Sequence, residues 1–375
     1  MTAAVKNAFK NFGLPRIIIL TFFLLLLITA GVYGMNLPAL IGDVLRRWGM
    51  YGILVLAMVP GIQSGIALNF GVTIGIVGGL LGSLISIEMR YYGLFDALGG
   101  NTTASAVVSI LVAVLLGLII SSILGILYGM LLNRVKGSEM TVSTYVGFSI
   151  VALMNIMWLM LPFSSPTSIW PLAGEGLRNT ISLEADFSNV LNNLWGFYIG
   201  GTTTITDGVT KNSGGVYIPT GLLLLFFFAC LCVWLFTRSR LGTMMKAAGA
   251  NPAYAKAAGI NVDRMRILGT TISTALGGVG IVFYAQSFGF LQLYNAPQMM
   301  GFSCVASILI GGAAIKKARI MNVLLGTFLF QGLLAVALPV ANTILPEGNL
   351  SDILRIIISN GIILYALSKS KEVAK

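Results

Sequence analysis

The chain contains no histidine, and charged residues make up only 9% of its 375 positions. The first absence removes histidine-based hydrolytic triads, histidine-ligated metal sites and haem with a histidine axial ligand. The second removes an ordinary soluble domain, which carries roughly 25% charged residues. A cytosolic enzyme of this length could not cover its surface with so few charges, and a disordered chain would be far less apolar. Cysteine is scarce. Cys230, Cys232 and Cys304 all sit in apolar runs and are expected as small buried residues. They show neither a paired metal spacing nor a disulfide framework. No Gly-Lys pair occurs, so there is no P-loop to cradle a nucleotide. Acidic residues are few, and Glu88, Asp96 and Asp352 fall at the ends of apolar runs. With no carboxylate in mid-span, a proton-coupled secondary transporter or a membrane-embedded acid–base enzyme is disfavoured. Sodium coupling through backbone carbonyls stays open.

What is present is apolar. Hydrophobic residues make up 57% of the chain, glycine supplies 45 positions, and the mean hydropathy is +0.91. A helix needs about 20 mostly apolar residues to cross a bilayer core of roughly 30 Å. Ten stretches come near that: Pro15–Tyr33, Gly49–Leu68, Gly71–Ile87, Ser105–Leu132, Val142–Leu161, Tyr217–Phe236, Ile267–Phe288, Met299–Ala314, Val323–Val340 and Asp352–Leu367. The expected fold is an all-α polytopic membrane protein, residues 1–375 forming one transmembrane domain. The second and third spans are poorly separated, Pro60, Gly61 and Gly65 interrupt the former, and the eighth is short. The first is read as a retained span, because no small-x-small cleavage site follows it.

Basic residues set the expected orientation. With both termini in the cytoplasm, the inner side holds Lys6, Lys10, Arg16, Arg134, Lys136, six Lys and Arg of the 237–266 loop, Lys316, Lys317, Arg319, Lys369, Lys371 and Lys375. The outer side holds only Arg46, Arg47, Arg90, Arg178, Lys211 and Arg355. The net charge of +11 is thus spread between spans rather than gathered on one soluble face, which argues against nucleic acid as a partner.

Two loops are long. The outer one, 162–216, carries Trp170, Trp195 and Phe197 among polar residues. These suit an interfacial aromatic belt, or a surface where an external partner docks. The inner one, 237–266, holds a helix signal. Asn251 is a good N-cap, Pro252 suits the first helical position and Gly259 is a good stop, which predicts a short helix over Pro252–Ala258. Such a helix lies on lipid head groups or docks a cytoplasmic protein.

Glycines recur at four-residue spacing: Gly71, Gly75 and Gly79 in one row, Gly78 and Gly82 in a second. That spacing lets helix backbones approach closely. Neutral polar residues within spans suit a path for an uncharged polyhydroxylated solute. The candidates are Gln63, Asn69 and Asn155, with Phe70 and Phe302 as an apolar constriction.

The 237–266 loop closely resembles the coupling region of ATP-binding-cassette importer permeases that serve ribose, galactose, nucleosides and branched-chain amino acids. The matching positions are Thr237, Arg240, Gly242, Ala247, Gly249, Asn251, Ala255, Gly259, Ile260, Asn261 and Val262, while Tyr254 stands where the family often has alanine. Gly65–Val72 is similar to the family's Gly-Ile-Asp-Leu-Ser-Val-Gly-Ser segment, without its acidic residue and serine. Ile308–Gly312 with its basic turn is similar to a glycine-rich family turn, Lys316 and Lys317 replacing the second glycines. The likeness runs over about residues 45–370.

The resemblance implies the rest. It implies two permease subunits, identical or related, in a bacterial cytoplasmic membrane, and a core of two inverted halves, here spans two to five and seven to ten. ATP and magnesium would sit on a separate ATPase subunit, with no cofactor on this chain. That subunit would receive the helix bounded by Ala247, Gly249, Asn251, Pro252, Ala255, Ala258, Gly259 and Ile260. An extracytoplasmic binding protein would deliver the solute, a simple sugar or similar neutral polar molecule, with nucleosides and branched-chain amino acids as the alternative.

Overall fold

The computed structural model describes residues 14–66, 68–95, 103–170, 176–206, 209–294, 296–314, 317–344 and 361. It is helical for the most part. Six helices are long and apolar enough to cross a membrane: α4 (Val72–Tyr91), α5 (Thr103–Arg134), α6 (Glu139–Met160), α8 (Thr220–Arg238), α11 (Val262–Phe288) and α13 (Ile320–Ile344). Two shorter apolar helices join them, α1 (Leu14–Val32) and α12 (Ala296–Ile310). Among the described residues, six of the ten expected spans are such helices, and the first and eighth correspond to the two shorter ones. Span ten, Asp352–Leu367, lies outside the described residues.

The largest change is at span two. The helix α2 runs Leu37–Leu56, twelve residues upstream of the expected start. Asn36 caps it by accepting from the Ala39 amide at 3.2 Å, and Pro38 lies in its first turn. Asp43 and Arg46, taken as loop charges, pair on one face of this helix at 3.0 Å. A break at Ala57 separates α2 from the short α3 (Met58–Gln63). Pro60 accounts for it, since its ring would clash with the Leu56 carbonyl. Residues 64–66 and 68–71 are then non-helical, and Gly65 turns the chain with a φ of +84°.

The expectation of an all-α chain is corrected too. The 162–216 stretch folds into small antiparallel pairs. Strand β1 (Thr180–Ser182) pairs with β6 (Phe290–Gln292) beyond the end of α11, and β2 (Phe197–Ile199) pairs with β5 (Val216–Ile218). Between the latter two, β3 (Thr202–Thr206) and β4 (Val209–Ser213) form a hairpin. A one-turn helix, α7 (Val190–Asn193), lies in the same region.

Helices α4 and α11 form the centre. In α4, 78% of the most apolar window is buried, against 28% in α5 and α6, which present Leu111, Leu115, Ile119 and Leu153 outward as lipid-facing helices would. The glycine rows explain the central packing. A Cβ on Gly75 would overlap the Thr274 carbonyl, one on Gly79 the Gly278 carbonyl, and one on Gly82 the Gly117 amide. Gly125 and Gly129 of α5 sit as closely on Thr274 and Ile267 of α11. Of the cysteines, Cys230 and Cys304 are buried, but Cys232 faces outward from α8.

Candidate coupling elbow and solute crevice

The candidate site has two parts at different depths. The first is an elbow built by three capped helices in sequence. Helix α9 (Arg240–Ala250) begins at Ser239, whose hydroxyl accepts from the Gly242 amide at 3.2 Å. Asn251 ends α9 and starts α10 (Pro252–Ala257), its side chain accepting from the Tyr254 amide at 3.1 Å. Gly259, with φ of +78°, stops α10, and the Ile260 amide returns to the Ala255 carbonyl at 2.9 Å. This left-handed stop is open to glycine at little cost. Asn261 then caps α11 through the Arg264 amide at 3.0 Å. The expected helix is one residue shorter than read, with Ala258 as its cap.

Only Ala255 of α10 is buried, and Tyr254 is 70% exposed, so α10 stands out from the body. Pro252, Ala258 and Gly259 are exposed, Ala247 and Ile260 are half-buried, and Gly249 is buried. Two ion pairs hold the elbow's base. Arg266 donates to Glu139 at 2.6 Å with both side chains largely buried, and Lys136 meets Asp263 at 2.5 Å in the open. The Asn133 amide group donates to the Asp263 carbonyl at 2.9 Å. A cleft of about 430 Å³ opens between Lys136, Pro252, Lys256 and Asn261.

The second part is a crevice of three phenylalanines. Phe70 and Phe302 lie with ring centroids 5.3 Å apart, and Phe148 joins Phe302 at 6.1 Å. Thr73, Thr144, Gly147, Gln298 and Gly301 complete the lining, which carries no charge and leaves about 10 Å³, on the order of one water. Phe148 belongs to a stripe on α6. Thr144, Phe148, Val151 and Asn155 recur at spacings of four, three and four, which is one helical face. Asn155 therefore lies about 10 Å along α6 from Phe148, with its side-chain oxygen buried and unpartnered among the described residues.

The other candidates sit elsewhere. Gln63 donates to the Ala318 carbonyl at 2.9 Å, across to the turn before α13. Asn69 is fully buried. It accepts from the Tyr128 hydroxyl at 2.8 Å and the Gly71 amide at 3.0 Å, and donates to the Ser273 hydroxyl at 3.2 Å. It faces no opening in this structure. It ties the broken segment to α5 and α11 instead. Sequence reasoning passed over Tyr128, Ser273, Phe148 and the Glu139–Arg266 pair. Of these, only Phe148 carried a readable signal, its place on the Asn155 stripe. In the 162–216 stretch, Trp170, Trp195 and Phe197 are about half exposed or more.

A family profile described as "Branched-chain amino acid transport system / permease component" matches residues 40–363. The chain is 33% identical over 113 residues to the nucleoside ABC transporter permease protein NupB of Lactococcus lactis, covering 29% of each chain. It is 28% identical over 179 residues to the probable ABC transporter permease protein YphD of Escherichia coli, 47% of each. It is 31% identical over 122 residues to the tyrosine transport system permease protein of Clostridioides difficile, 31% of this chain and 41% of the relative. The matches thus span less than half the length of each of these relatives. No solved structure matches the chain.

Proposed function

Because the chain belongs to the permease-component family of branched-chain amino acid transport systems, and is a multi-pass ATP-binding-cassette importer permease of the bacterial inner membrane, we propose that it forms half of a path for a neutral, ring-bearing polar solute. The observation that carries this is the pairing of an exposed, double-capped helix with an uncharged aromatic crevice in one helical body. The helix α10 offers a rigid knob to an ATPase subunit on the cytoplasmic side, since its caps are made within the chain and its outer residues are exposed. The crevice offers flat apolar faces, hydroxyls and one amide, and nothing that would neutralise an ion. A nucleoside or a simple sugar fits such a lining. The name of the Lactococcus lactis relative favours the former, and that of the Clostridioides difficile relative keeps an aromatic amino acid in view.

The mechanism is a population switch. Binding of ATP and magnesium on the partner ATPase closes that subunit pair, α10 moves with it, and two permease copies exchange which side is open. A solute-binding protein on the opposite side delivers the cargo. Bilayer-facing leucines of α5 and α6 hold each copy in the membrane.

The test is purification from native membrane with mass identification of bound chains, then uptake of labelled uridine, ribose and L-tyrosine into ATP-loaded vesicles. Recovery of an ATPase, with ATP-dependent uptake of one probe, supports the reading. A chain that purifies alone and moves solute under an ion gradient without ATP overturns it.

A further inference from the structure

We infer that the broken segment 64–71 is a lever, and that Gly65 and Gly249 are the positioning residues through which the elbow drives it. Four observations place the lever's ends. Its lower end is seated on α9: a Cβ on Gly249 would overlap the Gln63 carbonyl oxygen and lie 2.7 Å from the Gly65 amide nitrogen. The same end is seated on α11, where a Cβ on Gly269 would overlap the Ser64 side chain and lie 3.0 Å from the Pro60 carbonyl. At the α9 seat backbone therefore rests on backbone, with no flexible side chain between to absorb a shift, and packed interiors transmit displacement rather than dissipate it. That lower end has a ready hinge, Gly65 at φ of +84°. Its upper end carries Phe70, the member of the aromatic crevice that sits outside a helix.

Asn69 decides how that end moves. Its three hydrogen bonds, to Tyr128 of α5, Ser273 of α11 and the Gly71 amide, are made in a fully buried site. An unpaired partner there is costly, so the segment exchanges one bonded arrangement for another rather than drifting. A tilt of α9 and α10 presses on Gly65, and Phe70 moves against Phe302 and Phe148. The lever rests on the proposed importer function, because the ATPase supplies its stroke.

The experiment is hydrogen exchange on the assembled transporter in membrane, with and without a non-hydrolysable ATP analogue and magnesium. In the wild type, peptides covering 252–257 and 64–71 should both change exchange rate, by about three-fold or more. Gly249→Ala, a methyl wedge in the seat, should keep the ATPase bound and keep the response of 252–257 while losing that of 64–71. Should this variant fail to assemble, Tyr128→Phe serves, since it removes one Asn69 bond with little change of volume. It should alter the exchange of 64–71 in the nucleotide-free state. A wild-type elbow that responds while 64–71 stays unchanged overturns the lever alone. An unchanged coupling of 64–71 to nucleotide in an assembled Gly249→Ala transporter does the same. Absence of any ATPase, or of any response at 252–257, overturns the importer reading instead.

Discussion

The two ends of this molecule are built by different means. The elbow end is all helix, and its shape comes from local signals: Ser239, Asn251 and Asn261 as caps and Gly259 as a stop, each satisfied within a few residues. The opposite end is made by long-range stitching. Strand β1 reaches β6 over a hundred residues away, and the Glu88 carboxylate accepts from the Ser164 and Ser165 amides at 2.7 and 3.1 Å. Arg90 donates to the Asp186 carbonyl at 3.0 Å. That end also opens a cleft of about 810 Å³ lined by Asn36, Asp43, Arg46, Asn193, Tyr198 and Tyr217. A locally capped end can tilt as a body without losing its form. A stitched end resists motion, because moving one strand breaks pairs on another.

The largest effect is expected on removing the knob. Deleting Pro252–Ala258, or replacing Gly259 by proline, whose φ of about −65° cannot meet the +78° required there, should abolish association with the ATPase while the helices stay inserted. Co-purification at wild-type level would show that α10 is not the docking element.

Next in size is the base of the elbow. Glu139→Gln leaves Arg266, 9% exposed, without its ionic partner. Breaking a buried pair costs about 3–5 kcal/mol. Lys136→Ala breaks a pair that is half exposed on both sides, for about 0–1 kcal/mol. Thermal unfolding in detergent should therefore drop clearly for the first and barely for the second. Equal losses would mean that the open pair shares the mechanical duty.

Asn69→Leu tests whether the middle of the body belongs with either end. It leaves the Tyr128 hydroxyl and the Gly71 amide without acceptors, at about 1–3 kcal/mol each. Uptake should fall further than assembly does. Normal uptake would remove this residue from the transport cycle.

How much of this was legible in the residues follows the same division. Caps and stops act over three or four positions, so the α10 helix was readable from Asn251-Pro252 and Gly259 within one residue. The glycine rows of α4 were readable because close packing has a fixed helical spacing. The start of α2 carried the same kind of signal, Asn36 before Leu37-Pro38, but the stretch before Gly49, with Arg46 and Arg47, was placed outside the spans. A helix that buries one face and leaves Asp43 and Arg46 partly exposed satisfies both. The strands of the 162–216 stretch were not readable, since three-residue strands show no period. Asn69 stood out as a polar residue in an apolar run and was read as lining a solute path, whereas the structure buries it among bonded partners. Its partners lie 59 and 204 positions away, and no local pattern announces them.

The smallest expected effect belongs to the stitched end. Burial pushes the Asp186 carboxyl up from 3.8 to about 6, against the opposing pull of Arg90, whose Nε lies 3.8 Å away. The folded form thus holds a proton that the unfolded chain releases between about pH 4 and 6. Asp186 therefore contributes stability that is complete below about pH 4 and is lost as pH rises through about 6. Above that, its charge is carried at a cost. Asp186→Asn should flatten this dependence, with a change on the order of 1 kcal/mol across the window. Limited proteolysis of the 176–219 region at pH 4.5, 6 and 7.5 reads it out. The wild type should be cut faster as pH rises, while the variant's rate changes less. The comparison sharpens if the elbow, probed at 252–257 in the same samples, shows no such trend, because its caps contain no carboxylate. A parallel trend at both ends would mean that the two ends loosen together, and that the stitched end is no firmer than the capped one.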